Sequence, residues 1–221
     1  EAFFRELGRP CPPLAVRLEK RTPAYAGLGG GSADVAALLR LLRQRYAPEM
    51  PPETLERIGL AVGSDMPFCI RGGTALAEGR GEILSDLPPL PPCWIVICKP
   101  DFGLPTGEMF ARARGRIFQS RPDIDGMVRA LGKGDLEGVA KRLYNVFEEV
   151  LPPETREEIQ GLKTAMRCCG ALNAAMSGSG PAVFGIFLKE EEAAAAAESL
   201  RTWCGQTFLA QPVERLDGPV V

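Results

Sequence analysis

The stretch PAYAGLGGGSADVAALL, residues 23–39, decides how this chain folds. It places four glycines before a run of alanine and leucine that predicts a helix over residues 35–46, with Ser32 at the N-cap and Asp34 in the first turn. Ahead of it, residues 14–20 alternate apolar and polar side chains, which predicts a strand. A glycine loop between a strand and a helix N-terminus lets backbone N–H groups approach a phosphate closely. The stretch therefore predicts phosphate binding.

Other glycine-rich phosphate motifs fit this loop poorly. The P-loop motif ends in Gly-Lys-Ser/Thr, whereas no lysine precedes Ser32 here. The dinucleotide fingerprint G-x-G-x-x-G fails at its third glycine, where this chain has Ser32. A tight turn that only packs the helix is the alternative that the loop itself leaves open.

Composition and charge exclude several functional classes. With a net charge of −2, neither nucleic acid nor an anionic membrane surface is predicted as a partner. Histidine is absent, so acid–base chemistry falls to Asp, Glu, Lys, Tyr or Cys. The seven cysteines are an odd number and the opening residues do not resemble a signal peptide, which predicts reduced thiols in a cytoplasmic protein.

The order of predicted elements indicates an α+β protein with two lobes, residues 1–88 and 89–221. The boundary is placed by the proline-rich residues 87–92, because proline disrupts helices and sheet interiors. Strands are also predicted at 74–77, 82–84, 93–98, 182–188 and 206–213, and helices at 1–8, 53–62, 106–116, 123–131, 135–143, 154–169 and 190–203.

Three more motifs follow the glycine loop: GSDMPF at residues 63–68, KPDFGLPT at 99–106 and MSGSGPAVF at 176–184. Together with residues 26–36, and in the same order, they resemble motifs of the GHMP kinases, a superfamily of small-molecule ATP kinases. Residues 145–148 resemble a further family segment. The set is most similar to the branch that phosphorylates the 2-hydroxyl of 4-diphosphocytidyl-2-C-methyl-D-erythritol in the non-mevalonate route to isoprenoids. The chain departs from the family motifs at Ala33, Val35, Met66, Leu104 and Pro105.

The resemblance implies a two-lobed GHMP kinase fold. Its N-terminal lobe would resemble ribosomal protein S5 domain 2 and be incomplete here, and its C-terminal lobe would be ferredoxin-like. The cofactors implied are ATP and Mg²⁺, with Ser32 offering its hydroxyl to the ion that ATP carries. Asp34 is expected to have a structural or metal-orienting role.

The resemblance also implies the site residues. Asp65 is implied as catalytic base and acceptor contact, although the residues alone fit the N-cap of a turn equally well. We expect residues 61–62 to be buried and, with Pro67 and Phe68, to hold Asp65 rigidly. Thr106 is implied on the substrate side. The residues implied to bind ATP are Lys20, Pro23, Ala26, Gly27, Leu28, Gly29, Gly30, Gly31, Ser32, Ala33, Ser177, Gly178, Ser179 and Gly180. For Lys20, a solvated strand lysine is the alternative.

The family's opening motifs, K-x-N-L and D-G-Y-H, have no counterpart ahead of Phe3. The resemblance therefore implies an N-terminally truncated chain, and we expect weak or no kinase activity from these 221 residues. Two alternatives stay open: another GHMP kinase acting on mevalonate, homoserine or a sugar, and a truncated paralogue that binds nucleotide without catalysis. A monomer or weak homodimer is expected.

Overall fold

The computed structural model describes residues 1–213, which combine helices and antiparallel sheets as the α+β prediction requires. They form two compact units. The first unit holds residues 1–22 and 29–87, and the second holds residues 23–28 and 88–212. The glycine loop is thus divided, with residues 23–28 in one unit and Gly29 onward in the other.

The first unit is built from helices and a β-hairpin. Their bounds are α1 (Ala2–Glu6), α2 (Gly30–Tyr46), α3 (Pro52–Leu60), α4 (Met66–Arg71), β1 (Ala75–Glu78) and β2 (Ile83–Asp86). Arg71 donates to the carboxylates of Glu56 and Asp86, which ties α4 to α3 and to the hairpin. The buried core of this unit consists of Phe3, Phe4, Ala36, Leu39, Met50, Leu55, Ile58 and Ile70.

The second unit is an antiparallel sheet with strand order β4-β5-β3-β6, and helices pack against it. Its strands are β3 (Trp94–Lys99), β4 (Asn173–Met176), β5 (Val183–Phe187) and β6 (Gln206–Ala210). Its helices are α5 (Thr106–Ala113), α6 (Ile124–Gly132), α7 (Leu136–Lys141), a 3₁₀ helix (Val146–Val150), α8 (Pro153–Cys168) and α9 (Glu190–Arg201). The βαββαβ order and this strand order confirm the ferredoxin-like prediction.

The strand predicted at residues 14–20 is wrong. These residues form neither helix nor strand, and Leu14, Val16 and Leu18 are exposed. Alternation of side chains is only one requirement for a strand. A strand also needs a neighbour to bond its backbone groups and a core to cover its apolar face. No strand in the described part of the chain pairs with this segment.

The predicted start of α2 is also wrong. The N-cap residue is Gly29, in the left-handed region with φ +64°, and the helix begins at Gly30. Ser32 is therefore the third helical residue and Asp34 lies in the second turn. The two glycines ahead of Ser32 adopt helical backbone although glycine has a low helix propensity, so local propensity does not fix where α2 begins.

The structure also contains short elements that the sequence pattern did not predict. Helix α4 occupies a segment predicted as a loop, and β4 precedes the second glycine motif. The expectation that residues 61–62 are buried is wrong, since both are exposed; Met66 and Pro67 are buried instead. Asp65 is therefore fixed by the residues that follow it. Most other predicted helices lie within a few residues of their predicted bounds.

Candidate functional site

The N-terminus of α2 is open and uncapped. No side chain makes a capping hydrogen bond there. A Cβ added at Gly29 or Gly31 would meet no atom of residues 1–213 within 4 Å, so the backbone at these positions is open as far as the described residues go. The first N–H groups of a helix need partners and carry the positive end of its dipole. This terminus can therefore bind an anion through its backbone.

Lys20 lies beside that terminus. Its ammonium pairs with the carboxylate of Asp34, and a Cβ added at Gly30 would lie 3.3 Å from Lys20 Nζ. The side chains of the pair keep 35% and 28% exposure, so the cation is accessible to a ligand. Of the alternative interpretation, a solvated strand lysine, only the strand is wrong, because Lys20 lies in no strand but is exposed. Asp34 holds Lys20 at the start of α2.

The two glycine motifs meet within the second unit. Ser177 Oγ donates to the carbonyl of Gly27 at 2.9 Å, and the Ala182 N–H donates to the carbonyl of Ala26 at 3.0 Å. A Cβ added at Gly27 would lie 2.2 Å from the Ser177 carbonyl oxygen, and one added at Gly178 would lie 2.8 Å from that of Gly27. Both glycines have positive φ. Glycine at 27 and 178 is thus required for the two loops to touch.

The second loop also contacts α5. Thr106 Oγ1 and Ser179 Oγ are 3.0 Å apart and share a hydrogen bond, with Ser179 almost fully buried. The predicted substrate-side threonine and a predicted ATP residue are therefore neighbours. Thr106 is the first residue of α5, so this bond fixes the start of that helix against the loop.

Asp65 occupies the N-cap position of α4, yet its side chain makes no capping hydrogen bond. The residue is exposed, whereas Met66 and Pro67 after it are buried. Together with burial, the Asp65 charge raises the pKa of the Cys69 thiol, so that thiol stays protonated. The carboxylate is held on a rigid turn and is not used by the helix that it precedes.

Asn145 and Glu148 belong to the loop network, although neither was predicted as a site residue. Asn145 Nδ2 donates to the carbonyls of Met176 and Gly178, each at 2.8 Å. A Glu148 carboxylate oxygen accepts from the Met176 N–H at 3.0 Å. The only available signal was that residues 145–148 resemble a family segment.

Comparison with known proteins adds to this geometry. Residues 1–73 match the GHMP kinases N terminal domain and residues 127–206 match the GHMP kinases C terminal domain. A 4-diphosphocytidyl-2-C-methyl-D-erythritol kinase from Exiguobacterium sibiricum is 40% identical over 89% of this chain and 68% of its own length. The chain belongs to the family of 4-diphosphocytidyl-2-C-methyl-D-erythritol kinases. Its place among the GHMP kinases confirms the family that the sequence motifs indicated.

Solved structures agree with membership in this kinase family. A crystal structure of 4-(cytidine 5'-diphospho)-2C-methyl-D-erythritol kinase superposes with a TM-score of 0.72 at 33% identity, over 87% of this chain and 68% of that one. A homoserine kinase from Cytophaga hutchinsonii gives a TM-score of 0.74 at 20% identity, over 91% of this chain and 70% of that one. The second likeness is one of fold alone.

Two further observations bear on metal and membrane binding. Among residues 1–213, no group of three or more His, Cys, Asp or Glu side chains is placed to hold a metal ion. Within the same residues, none of the helices has the length and apolar character needed to cross a bilayer.

Proposed function

We propose that this chain is a kinase that transfers the γ-phosphoryl group of ATP to the 2-hydroxyl of 4-diphosphocytidyl-2-C-methyl-D-erythritol, a step in the synthesis of isoprenoid precursors. The observation that best supports this proposal is the 40% identity, over 89% of the chain, to an enzyme named for that substrate. Homoserine and mevalonate kinases share the fold at 20% and 17% identity, a level that supports no transfer of substrate.

In this proposal the ATP phosphates bind the backbone at the start of α2. The N–H groups of Gly29, Gly30, Gly31 and Ser32 would donate to phosphate oxygens, as helix N-termini do for anions. The Ala33 N–H already donates to the Gly29 carbonyl at 2.9 Å, so Ala33 would contribute only by lying next to the phosphates. The Lys20 ammonium, held by Asp34, would offset the charge that builds on the transferred group. Lys20 reaches the same terminus, which supports this assignment.

The remaining predicted ATP residues would shape the loop that precedes α2. They are Pro23, Ala26, Gly27, Leu28, Ser177, Gly178, Ser179 and Gly180. The bond from Ser177 Oγ to the Gly27 carbonyl supports a joint role for the two glycine motifs. Thr106, bonded to Ser179, would lie on the acceptor side of the reaction.

Asp65 would act as the general base. As the acceptor oxygen bonds to the γ-phosphorus, its O–H bond breaks, the proton passes to the carboxylate and ADP leaves. An exposed carboxylate that caps nothing is free for this task.

Mg²⁺ fits the oxygen donors present near the start of α2. The Ser32 hydroxyl and the Asp34 carboxylate are hard oxygen ligands of the kind that Mg²⁺ prefers. An ion brought by ATP would neutralise phosphate charge, with Ser32 and Asp34 as its protein contacts.

We place the protein in the cytoplasm. All seven of its cysteines are free thiols in the structure, a state that a reducing compartment maintains.

The test is ADP release from Mg-ATP with 4-diphosphocytidyl-2-C-methyl-D-erythritol as acceptor. The weak activity predicted for the 221-residue chain makes a second arm useful, namely a chain lengthened by any sequence encoded ahead of Glu1. Mevalonate, homoserine and galactose serve as competing acceptors. Acceptor-dependent ADP release with the first compound alone supports the proposal. Preference for one of the other three would overturn the substrate, and ATP binding without turnover in either chain would favour the non-catalytic paralogue.

Replacing Lys20 by methionine tests its role at the phosphates. We expect Lys20→Met to weaken ATP binding by about tenfold, since a charge-assisted contact contributes roughly 1.5 kcal/mol. Arg21→Met is the control, because among the described residues that neighbouring cation pairs only with the exposed Glu19. Isothermal titration with ATP measures both. Equal ATP affinities for the two variants would show that Lys20 does not contribute to ATP binding.

Gly31→Ala separates ligand binding from folding. A Cβ at Gly31 meets nothing and φ there is not positive, so the unfolding free energy should hold or rise by up to about 1 kcal/mol. ATP affinity should nevertheless fall, by about tenfold or more, because the methyl group occupies the space of a phosphate. Gly107→Ala is matched: it is the second residue of α5 and equally open. Undiminished ATP affinity in Gly31→Ala would place the phosphates elsewhere.

A further inference from the structure

We infer that Asn145 and Glu148 form a positioning clamp that fixes the second glycine loop and, through it, the loop at Gly27, and thereby sets the affinity for ATP. This inference rests on the proposed function, because it assigns a consequence for ATP binding. Neither residue is proposed to touch ATP.

The clamp makes hydrogen bonds to both backbone polar groups of one residue, Met176. The Met176 N–H donates to Glu148 Oε1 at 3.0 Å, and the Met176 carbonyl accepts from Asn145 Nδ2 at 2.8 Å. Met176 is the last residue of β4 and the last before the glycine loop. Both backbone polar groups at the loop entrance are therefore held by side chains from one short segment.

Asn145 also spans the loop. Its Nδ2 makes a second bond, to the Gly178 carbonyl at 2.8 Å, while its Oδ1 accepts from the Phe147 N–H at 3.0 Å. A carboxamide has two N–H donors and an oxygen acceptor, and all three are used here. A flipped amide would set its oxygen against two carbonyls. The side chain thus has one satisfactory orientation, and that orientation holds the loop at two points.

Glu148 is anchored from the opposite side. Its other carboxylate oxygen accepts from Lys163 Nζ at 2.5 Å and from Gln160 Nε2 at 3.1 Å, both on α8. The Glu148 and Lys163 side chains are only 12% and 14% exposed. A largely desolvated ion pair of this kind resists reorientation. The clamp therefore connects the loop to a core helix of the second unit.

The position of the loop is passed on to Gly27 by direct contact. Ser177 lies between the two clamped carbonyls, and its hydroxyl holds the Gly27 carbonyl at 2.9 Å. Gly27 and Gly178 approach so closely that neither could carry a Cβ. A displacement of residues 176–178 therefore displaces Gly27 as well.

The size of the expected effect on ATP affinity depends on the fraction of molecules in which the second glycine loop keeps its position. If removal of the clamp leaves about a tenth of the molecules with the loop in place, the apparent dissociation constant for ATP rises about tenfold, which corresponds to about 1.4 kcal/mol. We expect this rise in Asn145→Ala, with kcat at saturating ATP changed by less than about twofold. Asn145→Asp keeps the shape but loses both donors, and should weaken ATP binding at least as much.

Asn173→Ala is the matched control. Asn173 Nδ2 donates to the Ala140 carbonyl at 2.9 Å and its Oδ1 accepts from the Ala174 N–H at 2.9 Å. It has the same side chain and the same kind of backbone partners, but it holds α7 to the other end of β4. Both alanine variants should lose stability to a similar extent. Only Asn145→Ala should bind ATP more weakly.

The experiment is calorimetric titration of ATP into the full chain and both variants, with ADP release for kcat and urea unfolding for stability. If the parent chain does not bind ATP, the proposed function fails and the inference fails with it. If the parent binds and Asn145→Ala matches Asn173→Ala in affinity, the clamp is overturned and the proposed function stands. Should Asn145→Ala not fold, Glu148→Gln replaces it, because it removes the charge that pairs with Lys163. ATP affinity equal to the parent's would then overturn the clamp.

Discussion

Asp65→Asn is expected to fold normally, to bind ATP as before and to turn over at least about a hundredfold more slowly, because general base catalysis contributes about 10²–10⁴-fold. The amide cannot take the proton from the acceptor hydroxyl, although it has almost the same shape. Asp65 is exposed and its side chain makes no capping bond, so the structure gives no reason for a loss of stability. Steady-state ADP release, measured in whichever of the 221-residue and lengthened chains is the more active, gives the effect on kcat, and titration measures ATP binding.

A pair of alanine variants separates catalysis from helix capping at this position. Asp135 is a true N-cap, since its carboxylate accepts from the Gly138 N–H at 2.8 Å at the start of α7. Asp135→Ala should lose about 1 kcal/mol of unfolding free energy and keep its kcat. Asp65→Ala should keep its unfolding free energy and lose kcat. A loss of stability without a loss of kcat in Asp65→Ala would establish the N-cap interpretation and remove Asp65 as the base.

Gly27→Ala should destabilise the protein by about 3 kcal/mol, the upper range for a single substitution. Its φ is +73°, which alone costs about 1 kcal/mol for a residue with a Cβ. That Cβ would also lie 2.2 Å from the Ser177 carbonyl oxygen and 2.7 Å from the Gly180 nitrogen. Both are backbone atoms, so the clash is relieved only if the two loops separate. Urea unfolding measures the stability, and ATP affinity should fall with it.

Gly29→Ala isolates the cost of the clash. Gly29 has φ +64°, close to that of Gly27, but an added Cβ there meets nothing within 4 Å. Gly29→Ala should therefore lower the unfolding free energy only by the conformational cost of a Cβ at positive φ, about 1 kcal/mol. If the two variants lose equal stability, the contact between the two glycine loops is not a source of stability.

Sequence alone predicted much of the second unit because its elements carry strong local signals. Asp123 and Asp135 stand where α6 and α7 are capped, and each accepts a hydrogen bond from an N–H three residues on. Helix α9 combines three glutamates in its first turn with a run of alanine. Such features act within one turn and are visible in the order of residues.

The errors arise where local preference does not decide the structure. Residues 14–20 have the alternation of a strand, but alternation cannot supply a neighbouring strand. Gly29, not Ser32, occupies the N-cap position of α2, although serine is among the best N-cap residues. In both places the local preference points to a structure that the chain does not adopt.

The residues of the candidate site also fall into two groups, those that sequence motifs indicate and those that they do not. Lys20, Gly29 and Asp65 were named from motifs, and their catalytic and binding roles stay predictions. Asn145 was not named, because its partners are backbone carbonyls 31 and 33 residues away and no side-chain pattern encodes them. The contact of Gly27 with the second glycine loop is likewise visible only in the distances between atoms.

The bond between Ser177 and Gly27 has a consequence for how the protein is made. It joins residues 150 positions apart, so Gly27 leaves the ribosome long before its partner is synthesised. A nascent chain that has completed residues 1–87 has most of the first unit but none of the second glycine motif. At about 5–20 residues per second, the 150 residues between Gly27 and Ser177 take about 8–30 seconds to synthesise. The loop at Gly27 is completed only after residue 177 has been synthesised, so a shorter nascent chain cannot assemble it.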